Sequence, residues 1–533
     1  MLVLLPVVIL IFSAAVILIL QRIRPGFGYT WLIASGSSLI SWGLILFFHW
    51  RTPAIFSLFG WQPIQPLSSS LSFHVDSISW PFAFSLASLL LAVILTSSAR
   101  LQSGSNPHSW AASMVISGAG ILSILAANPL TLILTWTAID LLELVVRLGT
   151  NADVRLSQQS TIAFSIRISG TLMLVWAMIL SSSQGQILSF ENVLPGVGIF
   201  LLLAGGLRLG VVPLHLPYTQ ETRTRRGVGS VLRLASPTSS LVLLARMPKA
   251  AVPGNLVPYL LLFAAMAVIY GAAMWFWSEN ELKGRPYWVI ALAGIAFASA
   301  IRGESRAVIS WGVVMVLAGG LIFLFSARNK LLRAIPLVGC LTISGLPFTP
   351  AVSGWNGIFS GSFNILSWGF LAAYLLLLLG YLRFSLQDGE SIVGMERWIQ
   401  VIYPFGLILI VLALWAIGII GWKGSFTLGL WWAGLISTVL TAAGLFWILR
   451  GNQAAIGRIT EQKWLVILAR RLGRFMAALV RLGWLYSILK ILYRFIQQMV
   501  MALTTIFEGD GGILWAILLL TILISIIQTG AIR

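Results

Sequence analysis

Apolar residues run along this chain in long unbroken stretches and do not alternate with polar ones. Between Leu2 and Leu20, Ser13 carries the only polar side chain, and similar stretches recur almost to the last residue. They lie near 1–20, 30–49, 78–98, 110–127, 129–148, 160–182, 196–215, 228–246, 257–277, 286–302, 306–326, 332–359, 362–385, 402–421, 427–449 and 511–531. A stretch of ~18 residues or more can cross a hydrocarbon core of ~30 Å as a helix. Continuity predicts helices and not barrel strands, because a backbone crossing lipid must satisfy its own hydrogen bonds. The predicted fold class is therefore all-α, a polytopic membrane protein of about sixteen transmembrane helices.

Two longer segments, 50–76 and roughly 450–510, interrupt the pattern. The chain accordingly divides into a transmembrane core over 1–450 with about fifteen spans, an amphipathic segment over 451–510 and a final span over 511–533. Within 463–505, Arg470, Arg474 and Arg481 share one helical face, whereas Lys490 and Arg494 fall nearly opposite. Two helical pieces broken near Gly483 fit this better than one straight helix. Such a segment either rests on the membrane surface or runs laterally and clamps neighbouring spans or subunits.

Composition sharpens the membrane assignment. With 58% hydrophobic and 9% charged residues, the chain has too few charges to cover a soluble fold of 533 residues. The net charge of +19 does not indicate nucleic acid, because the basic residues sit in short clusters between apolar stretches, where they set topology. Arg22 and Arg24, Arg223, Arg225 and Arg226, and Arg328, Lys330 and Arg333 all fall on one predicted side. The opposite segment 183–195 has no Lys or Arg, and 50–76 has only Arg51. Arg246, Lys249, Arg302 and Lys423 run against the bias. The expectation is a prokaryotic cytoplasmic membrane with the N-terminus outside. The first twenty residues lack a basic leader region and are read as a retained span. Cys340 is the single cysteine, so no disulfide framework or cysteine metal cluster is expected. The histidines make no metal-ligand spacing, and no cofactor motif is visible. Twenty-three tryptophans fit an interfacial belt.

Four motifs carry a resemblance. Phe73-His74-Val75-Asp76-Ser77-Ile78-Ser79 is similar to F-x-x-D-G-L-S at the third span. Gly206-Leu207-Arg208-Leu209-Gly210, followed by Val212-Pro213-Leu214-His215, is similar to G-x-K-x-A-x-x-P-x-H in the seventh. Tyr270-Gly271-Ala272 and Glu281-Leu282-Lys283 resemble Y-G-A and D-L-K. Gly345-Leu346-Pro347 and Ser353-Gly354-Trp355-Asn356-Gly357-Ile358-Phe359 resemble G-x-P-P and A-G-F-x-G-K-F. In this order and spacing they resemble the antiporter-like subunits shared by respiratory complex I, membrane-bound hydrogenases and multisubunit Na⁺/H⁺ antiporters. The resemblance implies two broken helices. Pro237 within 228–246, and Gly345, Pro347 and Pro350 within 332–359, agree with that.

It also implies a midplane relay of ionisable side chains, and most of its positions are occupied otherwise here. The acid of the fifth span falls on Thr137, and the lysine of the seventh becomes Arg208. Further relay positions fall on Thr238, Trp311, Met315, Gly319 and Ile358. A relay needs groups that gain and lose protons, which an arginine does not do. Asp140 and Glu143 lie one and two turns beyond Thr137, so Asp140 is a candidate partner for Arg208. A bare charge at the membrane centre costs at least ~3 kcal/mol, so a partner is expected. Arg167, Arg233 and His215 complete the intramembrane candidates.

Three functions are compatible with these residues. One is a non-catalytic scaffold in a larger complex I-like assembly, with its own proton path impaired and other membrane subunits, antiporter-like paralogues among them, as partners. Another is an active proton- or cation-translocating subunit using Asp140, Glu143 and Arg208. The last is the membrane partner of a soluble enzyme in an ion-coupled uptake complex.

Overall fold

A computed structural model describes residues 2–58 (except 26), 70–99, 107–150, 154–216, 226–359 (except 328 and 330), 365–421 (except 388 and 390–393), 427–449 and scattered positions between 487 and 524. The chain forms two compact units, Met1–Glu461 and Gln462–Arg533. The predicted segment 451–510 and the final span 511–533 fall almost wholly outside the described residues, which include only isolated helical positions there.

The first unit is a succession of helices: α1 (Leu5–Ile23), α2 (Thr30–Phe48), α3 (Ser79–Thr96), α4 (Pro107–Ile124), α5 (Pro129–Thr150), α6 (Val154–Ser183), α7 (Pro195–Leu209) and α8 (Arg226–Ala245). There follow α9 (Val257–Trp277), α10 (Glu281–Ile301), α11 (Ser305–Leu324), α12 (Ala334–Ile343), α13 (Gly354–Phe359), α14 (Ile365–Leu386), α15 (Arg397–Ala416) and α16 (Trp431–Leu449). Among the described residues, eleven helical stretches are long and apolar enough to cross a membrane, with α7, α12 and α16 apolar but shorter. The expected sixteen is thus a larger number than these stretches supply. A short antiparallel pair, β1 (Ala54–Ser57) and β2 (Ser72–Val75), adds strand to the expected all-α fold, with Ala54 opposite Val75.

The core lies where α3, α8, α10 and α11 meet. The membrane-length windows of α10 and α11 are wholly buried, whereas only a third of those of α1 and α2 is. Without a hydrophobic drive between helices in lipid, close approach rests on small residues. A Cβ at Gly312 of α11 would come within 2.3 Å of Phe82 on α3, and one at Gly320 within 2.5 Å of Leu89.

Asp76 starts α3: its Oδ1 accepts from the amides of Ile78 (3.1 Å) and Ser79 (2.6 Å), satisfying donors that the first turn leaves open. Its Oδ2 lies 3.0 Å from Arg246 just beyond α8. Asn280 accepts from the amide of Lys283 at 2.8 Å and starts α10 in the same manner.

The helix expected over 332–359 is broken between α12 and α13. Gly345 and Phe348 take positive φ (73° and 62°) there. Side chains from neighbouring helices meet the freed carbonyls. Trp355 donates to Gly345 at 3.2 Å, Ser437 to Ser344 at 3.2 Å, Ser310 to Pro350 at 3.2 Å, and Tyr374 to Ile343. Irregular backbone at membrane depth needs such partners. The other proline differs from expectation: α8 runs helically through Pro237. The break in this region falls earlier, where α7 ends at Gly210 with φ 76°. Downstream, α15 passes into a π-helical turn at Ile417–Gly421.

Candidate functional site

Arg208 sits in the last turn of α7 and is wholly buried, pointing between α5, α6 and α8. Gly170 of α6 makes room for it, since a Cβ there would lie 2.7 Å from Arg208 Cγ and 2.9 Å from the carbonyl oxygen of Ala204. The guanidinium grips Asp140 of α5 through both terminal nitrogens, Nη1 to Oδ2 and Nη2 to Oδ1, the latter at 3.0 Å. Its remaining donors reach Thr171 Oγ1 (3.1 Å), Ser236 Oγ (3.1 Å) and Ser240 Oγ (3.2 Å). Trp136 lies under the guanidinium with its ring centroid at 4.2 Å. A buried cation of this kind is stable only when paired and fully hydrogen-bonded, and the α6 and α8 hydroxyls complete the shell.

The contact extends into a chain. Arg167 of α6 approaches Asp140 Oδ1 with Nε at 3.6 Å and binds Glu143 Oε2 through Nη1. Arg147 lies 3.8 Å from the same Oε2. Three guanidiniums and two carboxylates, each at most 2% exposed, thus alternate through the bundle from α7 to the far end of α5. Asp140, Glu143 and Arg147 are spaced three and four apart, so one stripe of α5 presents all of them. Arg147 carries the one sequence signal that was missed, its place on that stripe. Arg167 is recognisable as an intramembrane charge, but its pairing across helices is not.

Two further candidates are Arg233 and His215. Arg233 is buried on α8, one turn before Ser236. His215 is buried beyond α7 with Nδ1 2.7 Å from the carbonyl oxygen of Pro213, and its Nε2 has no hydrogen-bond partner among the described residues.

Apart from Arg208, the positions where the resemblance puts relay groups hold neutral side chains. Thr137 donates to Ile133 at 2.8 Å within α5, and Thr238 donates to Leu234 within α8. Trp311 donates to Gly354 at 3.0 Å, crossing from α11 to α13. Trp311, Trp355 and Tyr374 form a buried triangle of rings with centroids 5.0–5.6 Å apart. Met315 offers its carbonyl to Trp288 at 3.1 Å, and the same indole fills the space beside Gly319. Ile358 is fully buried, and its carbonyl accepts from Arg302 and from Ser367 at 3.0 Å. Among the described residues no group of three or more His, Cys, Asp or Glu could hold a metal ion.

No protein-family profile matches the sequence, and no curated protein matches it either. Solved structures do match in shape. A chain of the Mrp complex from a Dietzia species superposes with TM-score 0.70 at 15% identity, over 100% of this chain and 63% of that one. The chain here therefore spans less than two thirds of that relative's length. A chain of the membrane-bound sulfane sulfur reductase, an archaeal respiratory membrane complex, matches with TM-score 0.67 at 14% identity, over 98% and 99% of the two chains. The fold is shared with chains of these two membrane complexes. A chain of respiratory complex I from Thermus thermophilus, solved with bound NADH, matches with TM-score 0.61 at 18% identity, over 82% and 99%. The antiporter-like resemblance seen in the motifs thus extends to backbone architecture across nearly the whole chain, and the chain is an integral membrane protein.

Proposed function

We propose that this chain is a membrane subunit of a larger ion-translocating or respiratory assembly that keeps the antiporter-like scaffold while its own proton path is closed. The carrying observation is Arg208, a cation that does not release its proton, locked on both terminal nitrogens to Asp140 inside a shell of hydroxyls. The buried rings of Trp311, Trp355 and Tyr374, and Ile358 beside them, add to this, because they offer no titratable group near neutral pH along the second half of the bundle. The subunit then serves as a spacer and seal whose charged chain fixes α5 to α8 in one arrangement, with the N-terminus on the outer side.

A second reading, active translocation, is favoured by Glu143, whose buried Oε1 has no hydrogen-bond partner among the described residues. Protonation there would change the charge of the chain without breaking the Arg208 clamp.

The test is purification of the native assembly in mild detergent with mass-spectrometric identification of its chains. Co-purification with antiporter-like subunits that retain lysine at the seventh-span position is expected. A chain that purifies alone, with proton uptake lost on Asp140→Asn, would overturn the scaffold reading.

A further inference from the structure

The geometry points to an anionic phospholipid seated in a groove between α12 and α15. The groove encloses about 450 Å³ and is lined by Asn329, Leu331, Leu332, Ile335, Gln400, Pro404 and Ile408. That volume lies within the ~300–1,000 Å³ range of small-molecule sites. Its polarity is graded. Gln400 belongs to the first turn of α15 and Ile408 lies eight residues further in, about 12 Å along the helix. Asn329 and Gln400 therefore mark a polar mouth, and Ile335 and Ile408 an apolar depth.

Charge completes the match. Arg397, Gln400, Pro404 and Ile408 fall at helical spacings of three, four and four, so one stripe of α15 carries a cation at the mouth and apolar surface below it. Arg397 is exposed at the start of α15. Next to Arg397, the Glu396 carboxylate accepts from the indole of Trp398. The walls face outward: Leu331 is 86% exposed and Ile408 40%. A basic mouth between membrane helices above an apolar slot is the pattern that binds an acidic headgroup with one acyl chain below it. A partner helix would have to bury Arg397 with its own acid, whereas a phosphate at the interface meets it without desolvating a second protein.

The test uses the full chain, purified and stripped of lipid, with its thermal midpoint followed as phosphatidylglycerol or phosphatidylcholine of the same acyl composition is added. Phosphatidylglycerol should raise the midpoint at lower concentration than phosphatidylcholine. Arg397→Ala, at an exposed site, should weaken the phosphatidylglycerol effect about fivefold, matching one cation at a membrane surface. Ile408→Trp should fill the slot and abolish the difference between lipids. Equal response to the two lipids in the unmodified chain would overturn the proposal. So would an unchanged preference in both variants, or cross-linking of Ile408→Cys to a protein chain of the native assembly with no lipid retained.

Discussion

Replacing Asp140 by alanine removes the carboxylate that Arg208 grips directly. The guanidinium loses two charge-assisted bonds, at Oδ2 and at Oδ1, and keeps neutral acceptors at Thr171, Ser236 and Ser240 between 3.1 and 3.2 Å. Glu143 lies a turn further along α5 and binds Arg167 and Arg147 through Oε2, not Arg208. The uncompensated buried charge should cost about 3–5 kcal/mol, roughly two to three and a half decades in equilibrium constant. The double variant Asp140→Leu with Arg208→Met removes both charges and fills similar volume, so it should recover most of that loss. The assay is the midpoint of heat-induced loss of the monodisperse peak in detergent, measured for the unmodified chain, Asp140→Ala, Asp140→Leu, Arg208→Met and the Asp140→Leu/Arg208→Met pair. Two-state behaviour need not hold for so large a protein, so the sign of the coupling carries the conclusion. A single Asp140→Ala variant as stable as the unmodified chain would refute the reasoning, as would a double variant no better than the worse single one.

Two further outcomes follow from the broken helix. Trp311→Ala removes a ring packed against Trp355 and Tyr374 together with its bond to Gly354. It should cost about 3–5 kcal/mol and lower the same midpoint, with Trp311→Phe losing clearly less. Gly434→Ala would set a Cβ 1.9 Å from the carbonyl oxygen of Gly345, so α16 must move off the break. Its monodisperse yield should fall, whereas Gly36→Ala, where a Cβ meets nothing within 4 Å, should leave yield unchanged.

Helix positions are legible in this sequence because each is written as a continuous apolar run. The stretch 257–277 coincides with α9 to the residue, and 30–49 with α2 to within one. The strands are not legible: Ala54–Ser57 and Ser72–Val75 are four residues each and lie in a polar-apolar mixture with no extended alternation. Pro237 shows the limit of local chemistry. It removes one helix hydrogen bond, yet α8 is buried on all sides and its packing holds the helix through that loss. The helix on which Arg208 sits ends instead at Gly210, a glycine with positive φ whose amide returns to the carbonyls of Gly206 and Leu207. In the site, Asp140 and Arg208 stand out because a bare charge in lipid is costly. Their alternation with Arg167, Glu143 and Arg147 depends on how α5, α6 and α7 pack, which spacing along one helix cannot give.

The most direct measurement is proton flux through the purified chain in proteoliposomes under an imposed potential, read with an entrapped pH dye. Flux no faster than that of protein-free vesicles, and insensitive to Asp140→Asn and Glu143→Gln, is the predicted result. Flux well above protein-free vesicles that disappears with either substitution would contradict a closed path.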